Sequence, residues 1–313
     1  MLKKQSKQHI LALAMLSLTA IVWGWGFVLN DQLLSQMHDT PTLLNAIRFT
    51  VAAVVLLVLF AKKIVINKQT LLYSCVGGTF LFLAFWLQII GLKYTTPAHS
   101  GFFTASYVVF VPFIVWIIGK KRPTLSTLIG VAVALAGLAI LNFKSETGVG
   151  NTLTGDLITL GSAVMFALQI VWGENVLTKK KADHYTFTAI QLATAAILFV
   201  VASVALENKY YPSLNIDFGF CWWRFALVSL LGTTFAYFAQ TYSQIHMPSS
   251  ETALILGCES PIGAVISIAV GLDTFSWNIV IGGLLVIAAV VLVEVVPQIV
   301  SEKGQEKQPD ENE

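Results

Sequence analysis

Long apolar stretches separated by short polar connections fill most of this 313-residue chain. A helix needs about 20 residues to cross a hydrocarbon layer of ~30 Å, and ten stretches reach roughly that length. Because lipid offers no hydrogen-bond partner to a bare backbone, each stretch is predicted to be a helix. The ten predicted windows are Ile10–Leu29, Thr42–Ala61, Leu71–Leu92, Ala98–Ile118, Leu125–Phe143, Gly155–Val176, Phe187–Leu206, Phe225–Ile245, Thr252–Leu272 and Trp277–Pro297.

The composition agrees with this pattern. Hydrophobic residues make up 56% of the chain and charged residues only 12%, whereas soluble domains carry about 25% charged residues. The predicted fold class is therefore an all-α membrane protein with ten transmembrane helices, whose first partner is the lipid bilayer. Since the net charge is only +2 and the lysines form short clusters between apolar runs, no nucleic-acid partner is expected.

Lysine and arginine residues are unevenly divided between the two predicted sides of the membrane. If the N-terminus is cytoplasmic, fourteen of the nineteen lie on the inner side, as the positive-inside rule requires. The chain is then a multi-pass protein of the cytoplasmic membrane with both termini in the cytoplasm. The polar, acidic tail 298–313 is expected to be disordered.

The two halves of the chain resemble each other. A shift of about 143 residues places Ala46–Arg48 on Ala189–Gln191, and a shift of about 152 places Gln88 on Gln240. The matches preserve the order of the helices, although each is weak and chance similarity among Ala-, Leu- and Val-rich helices is the alternative. A repeat of five helices is the simplest account.

The predicted repeats are residues 10–143 and 155–297. Because five is an odd number, the second copy enters the membrane from the opposite side, which is the inverted arrangement of many secondary transporters. The connections between the windows are short, so no soluble domain is inserted. The work of the protein is expected to lie within the membrane.

Several short motifs follow one another along the windows. They are Trp23-Gly24, Arg48-Phe49, the Gln-x-x-Gly-Leu-x-Tyr-Thr run from Gln88, the Val-Phe-Val-Pro run ending at Pro112, the polar run Gln240 to Gln244, and Glu259-Ser260-Pro261. In this order they resemble EamA-type permeases of the drug/metabolite transporter superfamily. The resemblance implies a ten-helix bundle of two inverted halves around a central cavity. It also implies transport of small molecules, often outward, without ATP hydrolysis.

We therefore expect a secondary active transporter of small metabolites or drugs, an exporter that works by alternating access. No G-x-x-x-x-G-K-[ST] loop, H-E-x-x-H or G-x-S-x-G motif is present, so no enzyme, cofactor or metal is expected. An intramembrane enzyme would need paired groups at one depth, and Glu259 has no obvious second acid or histidine beside it. A structural or receptor-like membrane protein is left open, as is a homodimer.

Glu259 is the first candidate site residue. It lies about eight residues into the ninth window, roughly 12 Å deep, where a charge costs about 2.5 to 3.5 kcal/mol. A partner, a water-filled cavity or a proton must offset that cost, and a proton carried with the substrate is one reading. The alternative is a structural hydrogen bond to a neighbouring helix. Its repeat counterpart is about Phe110, so the acid is not copied.

Arg48, Gln88 and Gln240 are further substrate-binding candidates. Arg48 lies about six residues into the second window, so it either faces the cavity and attracts an anionic group or snorkels to the outer surface. The two glutamines occupy repeat-related positions. They either line the cavity or join helices by hydrogen bonds.

Trp23, Tyr107 and Tyr237 complete the candidate site. Their rings would provide flat walls for a partly apolar substrate, although contact with lipid or core is the commoner fate of aromatic residues in membranes.

Overall fold

The computed structural model describes residues 2–37, 40–92, 94, 97–120, 122–142, 152–214, 216–271 and 275–305. All regular secondary structure in these ranges is helical. Each of the ten apolar windows lies mainly on helix within the described residues, so the all-α prediction is confirmed.

The helices are α1 (Leu2–Gln36), α2 (Pro41–Leu59), α3 (Lys68–Leu92), α4 (Pro97–Ala105), α5 (Tyr107–Gly119), α6 (Leu125–Asn142), α7 (Thr152–Glu174), α8 (His184–Glu207), α9 (Phe218–Ser229), α10 (Ala236–Ser243), α11 (Ser249–Gly257), α12 (Glu259–Ala269) and α13 (Trp277–Gln305). A π-helical turn, Asn175–Lys179, continues α7, and a second one, Leu230–Phe235, joins α9 to α10. A 3₁₀ turn, Asn208–Ser213, follows α8.

Six helical stretches are long and apolar enough to cross a membrane: Lys7–Gln36, Pro41–Leu59, Lys68–Gly91, Leu153–Lys179, His184–Pro212 and Phe218–Ser243. Shorter apolar helices are Phe103–Ile118, Leu125–Ile140 and Trp277–Leu292. Large apolar side chains stand on the outside of the bundle; Ile117 is 76% exposed and Leu125 73%. Contiguous apolar surface of this kind suits lipid rather than water. The protein is a multi-pass membrane protein.

Two windows that the sequence predicts as continuous helices are broken in the middle. The fourth breaks at Ser106, between α4 and α5, and the ninth breaks at Cys258, between α11 and α12. Both break residues have nearly the same backbone angles, φ −61° and ψ −7° at Ser106 and φ −65° and ψ −12° at Cys258. Pro261 lies in the first turn of α12, where its missing N–H is tolerated. The first break has no such proline beside it, because Pro112 lies farther along, inside α5.

The helices of the first half pack mainly on helices of the second. α2 lies along α8, α6 lies along α13, and α3 packs on both α7 and α8. α1 packs on α10, α11 and α12, while α7 packs on α4 and α5. The largest apolar core joins α1, α5, α7 and α11 through residues such as Leu16, Val108, Ala167 and Leu254. The middle of the molecule is therefore built from both halves.

Two acidic side chains cap the starts of helices. Glu207, at the end of α8, accepts the backbone N–H groups of Thr42 and Leu43 at 2.8 and 2.9 Å and the Ser203 hydroxyl at 3.2 Å. Because the first N–H groups of a helix lack partners within it, this carboxylate stabilises the start of α2. Glu174 accepts the backbone N–H of Ser249 at 2.9 Å in the same way, at the start of α11.

The C-terminal region differs from the sequence prediction. α13 continues to Gln305, so residues 298–305, expected to be disordered, are helical. Ile299 and Val300 extend the apolar pattern of the helix beyond Pro297, which explains the difference. Residues 306–313 of the predicted tail lie outside the described residues.

Candidate functional site

Five of the seven predicted site residues meet in the middle of the bundle: Trp23, Arg48, Tyr107, Tyr237 and Glu259. They come from α1, α2, α5, α10 and α12, and so from both halves of the chain. Glu259 interacts electrostatically with Arg48, Tyr107 and Tyr237. Both charged groups are buried, with Arg48 6% and Glu259 8% exposed. We call these five residues, together with the phenylalanines described below, the central cluster.

The broken helices place Tyr107 and Glu259 at equivalent positions. Each is the first residue after a break, and a nine-residue helix, α4 or α11, precedes that break. Nine residues of α-helix span about 14 Å, roughly half of a ~30 Å hydrocarbon layer. The shift between the two breaks is about 152 residues, which is also the shift that pairs Gln88 with Gln240. The break positions therefore match Glu259 with Tyr107, whereas the sequence comparison matched it with about Phe110.

Aromatic rings join the two tyrosines of the cluster. Tyr107 contacts Phe166 with ring centroids 6.2 Å apart, and Phe166 contacts Phe85 at 5.0 Å. Phe85 contacts Phe49 at 5.3 Å, and Phe49 contacts Tyr237 at 6.3 Å. Both tyrosines also interact electrostatically with Glu259, so the acid lies near both ends of this series of contacts, which we call the ring.

Trp23 extends the ring at Tyr237, where the two centroids are 5.7 Å apart. α1 approaches closely at this point because its next residue is glycine. A Cβ atom at Gly24 would lie 3.0 Å from the Glu259 carbonyl oxygen and 2.8 Å from the Gly263 nitrogen. α1 therefore packs directly against the backbone of α12 beside the acid.

A π-helical turn holds Arg48 in place. The guanidinium Nε donates to Thr233 Oγ1 at 2.5 Å, and Nη2 donates to the Gly232 carbonyl at 3.3 Å. Trp23 Nε1 donates to the same carbonyl at 2.8 Å. A π-helical turn disturbs the regular backbone bonding of a helix, which leaves the Gly232 carbonyl able to accept from other helices. Arg48 therefore points into the bundle and does not snorkel to the outer surface.

The polar groups of the cluster are incompletely paired. The Arg48 Cζ atom lies 4.9 Å from the Phe85 centroid and 5.6 Å from that of Phe49, within the range of cation–π attraction. Among the described residues, the buried hydroxyls of Tyr107 and Tyr237 have no hydrogen-bond partner. Tyr107 lies beside Glu259, but the contact lacks hydrogen-bond geometry. Buried polar atoms without partners are uncommon in proteins and call for an explanation.

Gln88 and Gln240 make their hydrogen bonds outside the central cluster. Gln240 donates to Gln169 at 3.0 Å, and Gln169 donates to Gln191 at 3.1 Å, which joins α10, α7 and α8. Gln88 donates to Thr104 of α4 at 3.1 Å. These bonds join one helix to another, which agrees with the alternative that the two glutamines hold helices together by hydrogen bonds.

The sequence reasoning missed the three phenylalanines of the ring and Thr233. Phe49 stands in the Arg48-Phe49 motif, but Phe85 and Phe166 are ordinary residues of apolar helices and carry no signal of their own. Within the described ranges, no group of three or more His, Cys, Asp or Glu side chains could hold a metal ion.

The sequence profile of the EamA-like transporter family matches the chain twice, over residues 10–143 and 153–295. A solved crystal structure of a protein has the same fold, with a TM-score of 0.70 at 15% identity over 90% of this chain and 98% of that one.

Curated relatives are transporters by name. A protein of Archaeoglobus fulgidus named "Uncharacterized transporter" is 26% identical over 278 residues, which are 89% of this chain and 84% of the relative. The "Biotin transporter" of Escherichia coli K12 is 23% identical over 279 residues, 88% of this chain and 91% of the relative. A "Probable amino-acid metabolite efflux pump" of Salmonella typhimurium is 26% identical over 200 residues, 61% of this chain and 63% of the relative. The names point to transporters rather than enzymes. The chain belongs to the EamA-like transporter family of the drug/metabolite transporter superfamily.

Proposed function

We propose that this protein is a secondary active transporter in which two inverted five-helix halves, residues 10–143 and 155–297, enclose the central cluster and expose it alternately to the two sides of the membrane. The two separate matches of the family profile support the division into halves. The chain then crosses the cytoplasmic membrane ten times with both termini in the cytoplasm, as the lysine distribution favours.

The packing of the helices supports the inverted arrangement. An axis that exchanges the halves would pair α2 with α8 and α6 with α13, and these pairs pack along each other. Under the same exchange of halves, the contact of α1 with α10 is equivalent to the contact of α7 with α3. The contact of α1 with α12 is likewise equivalent to the contact of α7 with α5. All four contacts are present.

One observation carries the proposal: Tyr107 and Glu259, the first residues after the two helix breaks, lie beside each other in the middle of the bundle. Discontinuous helices at the interface of inverted repeats form the substrate and ion sites of many transporters. A buried acid and a buried arginine, supplied by different halves, provide charges that such a site can use.

Contacts join the halves at both ends of the bundle, and we propose them as its two closures. At the predicted inner end, Phe60 and Phe238 stack with centroids 5.2 Å apart and planes 10° apart, and Lys63 donates to the Tyr185 hydroxyl at 3.1 Å. At the predicted outer end, Arg224 donates to Gln32 at 2.7 Å. Alternating access requires that these two closures open in turn.

The direction we propose is outward and the cargo a small metabolite, in keeping with the efflux pump among the relatives. The biotin transporter and the amino-acid metabolite pump are both named for small molecules. Glu259 is the group we assign to a coupling proton, because an acid at that depth can be charged in one state and neutral in the other.

An untargeted metabolite comparison tests the proposal even though the cargo is unidentified. Cells producing the wild-type protein, the Glu259→Gln variant or no protein are grown alike, and the medium and the cytoplasm are compared by mass spectrometry. An exporter enriches at least one small molecule in the medium, and Glu259→Gln reduces the enrichment at equal protein level. Equal metabolite profiles in all three cultures would contradict transport, and enrichment in the cytoplasm would contradict the outward direction.

A further inference from the structure

We infer that the central cluster binds a small molecule in which a carboxylate group lies next to a flat, apolar body. The inference rests on the proposed function, since it names the substrate class of the same site.

The carboxylate is inferred from the state of Arg48. Both hydrogen bonds of its guanidinium go to neutral acceptors, Thr233 Oγ1 and the Gly232 carbonyl. Glu259 interacts with it through space, with no hydrogen bond between them among the described residues. A buried guanidinium is costly unless an anion compensates it at close range, and its planar fork suits a carboxylate best. A ligand carboxylate would supply the missing close partner.

The flat body is inferred from the rings around the two charges. The five contacts from Tyr107 to Trp23 have interplanar angles between 41° and 78°. The six rings come from six different helices, and each meets its neighbour edge-to-face or tilted. Their faces and edges are therefore held at fixed orientations. Such surfaces favour another flat apolar group, which can stack or meet a ring edge-on.

The unpaired tyrosine hydroxyls are the second observation that points to a ligand. Tyr107 and Tyr237 are both buried and both carry a hydroxyl without a partner among the described residues. Each hydroxyl can donate one hydrogen bond and accept others. Both tyrosines interact electrostatically with Glu259, so a polar group of a ligand bound beside the acid can serve as their partner.

Cys258 offers a reporter for binding, because it precedes Glu259 at the break of the helix and is only partly buried. Replacing the other two cysteines, Cys75→Ala and Cys221→Ser, leaves Cys258 as the single thiol. A bound molecule in the central cluster should slow the alkylation of this thiol by a small maleimide in the purified full-length protein.

The probes are acids matched with compounds that lack one feature. Hydrocinnamate and naphthoate carry both a carboxylate and an aromatic body. Among the comparison compounds, hydrocinnamamide and naphthamide lack the charge, phenethylamine has the opposite charge, and hexanoate lacks the flat body. Hydrocinnamate or naphthoate should protect Cys258, and the other four should protect it at least about tenfold more weakly. This comparison needs no variant at the site, so it does not depend on the folding of one.

Variants then assign the carboxylate to its partner. Arg48→Gln should raise the concentration of acid needed for protection at least about tenfold, as expected for loss of a buried charge pair. Lys209→Gln is the matched control, since it removes a cation that lies over Tyr210, away from the central cluster. It should leave protection unchanged.

Equal protection by an acid and its amide, protection by phenethylamine, or unchanged protection in Arg48→Gln would overturn the inference. Protection by none of the probes would overturn it too. In each of these cases the proposed function survives as long as Cys258 still changes its accessibility between the two sides of the membrane.

Discussion

At the scale of single residues, two buried glutamates differ in what surrounds them. Glu207 is 5% exposed and accepts two backbone N–H groups and a hydroxyl, which compensates its charge by a fixed helix cap. Glu259 is 8% exposed, and none of the hydrogen bonds seen among the described residues involves it. Its neighbours are Arg48 at a distance and two tyrosines without partners. The first acid has a structural environment, and the second lacks one, as the proposed coupling role requires.

Glu259→Gln should therefore separate transport from stability. The amide keeps the shape of the protonated acid but cannot release a proton, so substrate exchange should persist while the response to a pH gradient is lost. Transport of the compound found in the metabolite comparison, measured in proteoliposomes with and without a gradient, checks this. Gradient-driven transport at the wild-type rate would remove Glu259 from the mechanism.

Glu207→Gln is the matched control for that experiment. It weakens the acceptor of two helix-start N–H groups, so the free energy of unfolding should fall by about 1 to 3 kcal/mol. The same measurement on Glu259→Gln should give a much smaller change, because no hydrogen bond is lost.

Gln240→Leu should act on stability. The change leaves the side-chain oxygen of Gln169 without its donor inside the α7, α8 and α10 network, which costs about 1 to 3 kcal/mol. Thermal unfolding of the purified protein measures the loss, and transport per folded molecule should stay near the wild-type value. A strong fall in transport at unchanged stability would instead make Gln240 a substrate-binding residue.

The sequence reveals some site residues better than others. Arg48 and Glu259 are visible because a charge inside an apolar run needs a physical reason. Phe85 and Phe166 are not visible in the same way, because a phenylalanine in a membrane helix has the same chemistry whether it faces lipid, core or substrate. Contacts across helices, such as Gln240 with Gln169, also depend on rotations of the helices that no single stretch of sequence contains.

At the scale of elements, the site depends on departures from the regular α-helix. Two breaks directly precede Tyr107 and Glu259, and the turn Leu230–Phe235 provides the partners of Arg48. Helix windows are predictable from length and hydropathy, because each must cross the same hydrocarbon layer. The break at Ser106 and the π-helical turn are not predictable in this way, because serine, glycine and threonine also occur inside continuous membrane helices.

Two neighbouring threonines of the π-helical turn form a matched pair. Both donate to the carbonyl five residues earlier, Thr233 to Val228 and Thr234 to Ser229, each at 2.9 Å, but only Thr233 accepts from Arg48. Thr233→Val and Thr234→Val both lose this bond, and Thr233→Val should cost more stability because it also leaves Arg48 Nε without its acceptor. Only Thr233→Val should weaken protection of Cys258 by the acid probes, by about tenfold for one lost bond to a charged group. Equal weakening in both variants would show that the turn supports the fold and does not orient Arg48.

At the scale of the whole molecule, the orientation in the membrane governs which closure is inner and which is outer. Reporter fusions after Lys63, Arg122 and Lys181 should report the cytoplasm, and a fusion after Lys209 should report the outside, because the lysine clusters favour that topology. A cytoplasmic signal after Lys209 would be incompatible with the inverted repeat.

Alternating access of the central cluster is the central claim, and the labelling of Cys258 from each side tests it most directly. An impermeant maleimide is applied to intact cells and to everted vesicles containing the single-thiol protein. Arg224→Ala weakens the contact with Gln32 at the outer end, and Phe238→Ala weakens the stack with Phe60 at the inner end. A shift between two states must change the populations in opposite directions. We predict that Arg224→Ala speeds labelling from outside and slows it from inside, and that Phe238→Ala does the reverse. Labelling that rises from both sides in the same variant, or that does not respond to either change, would contradict the account.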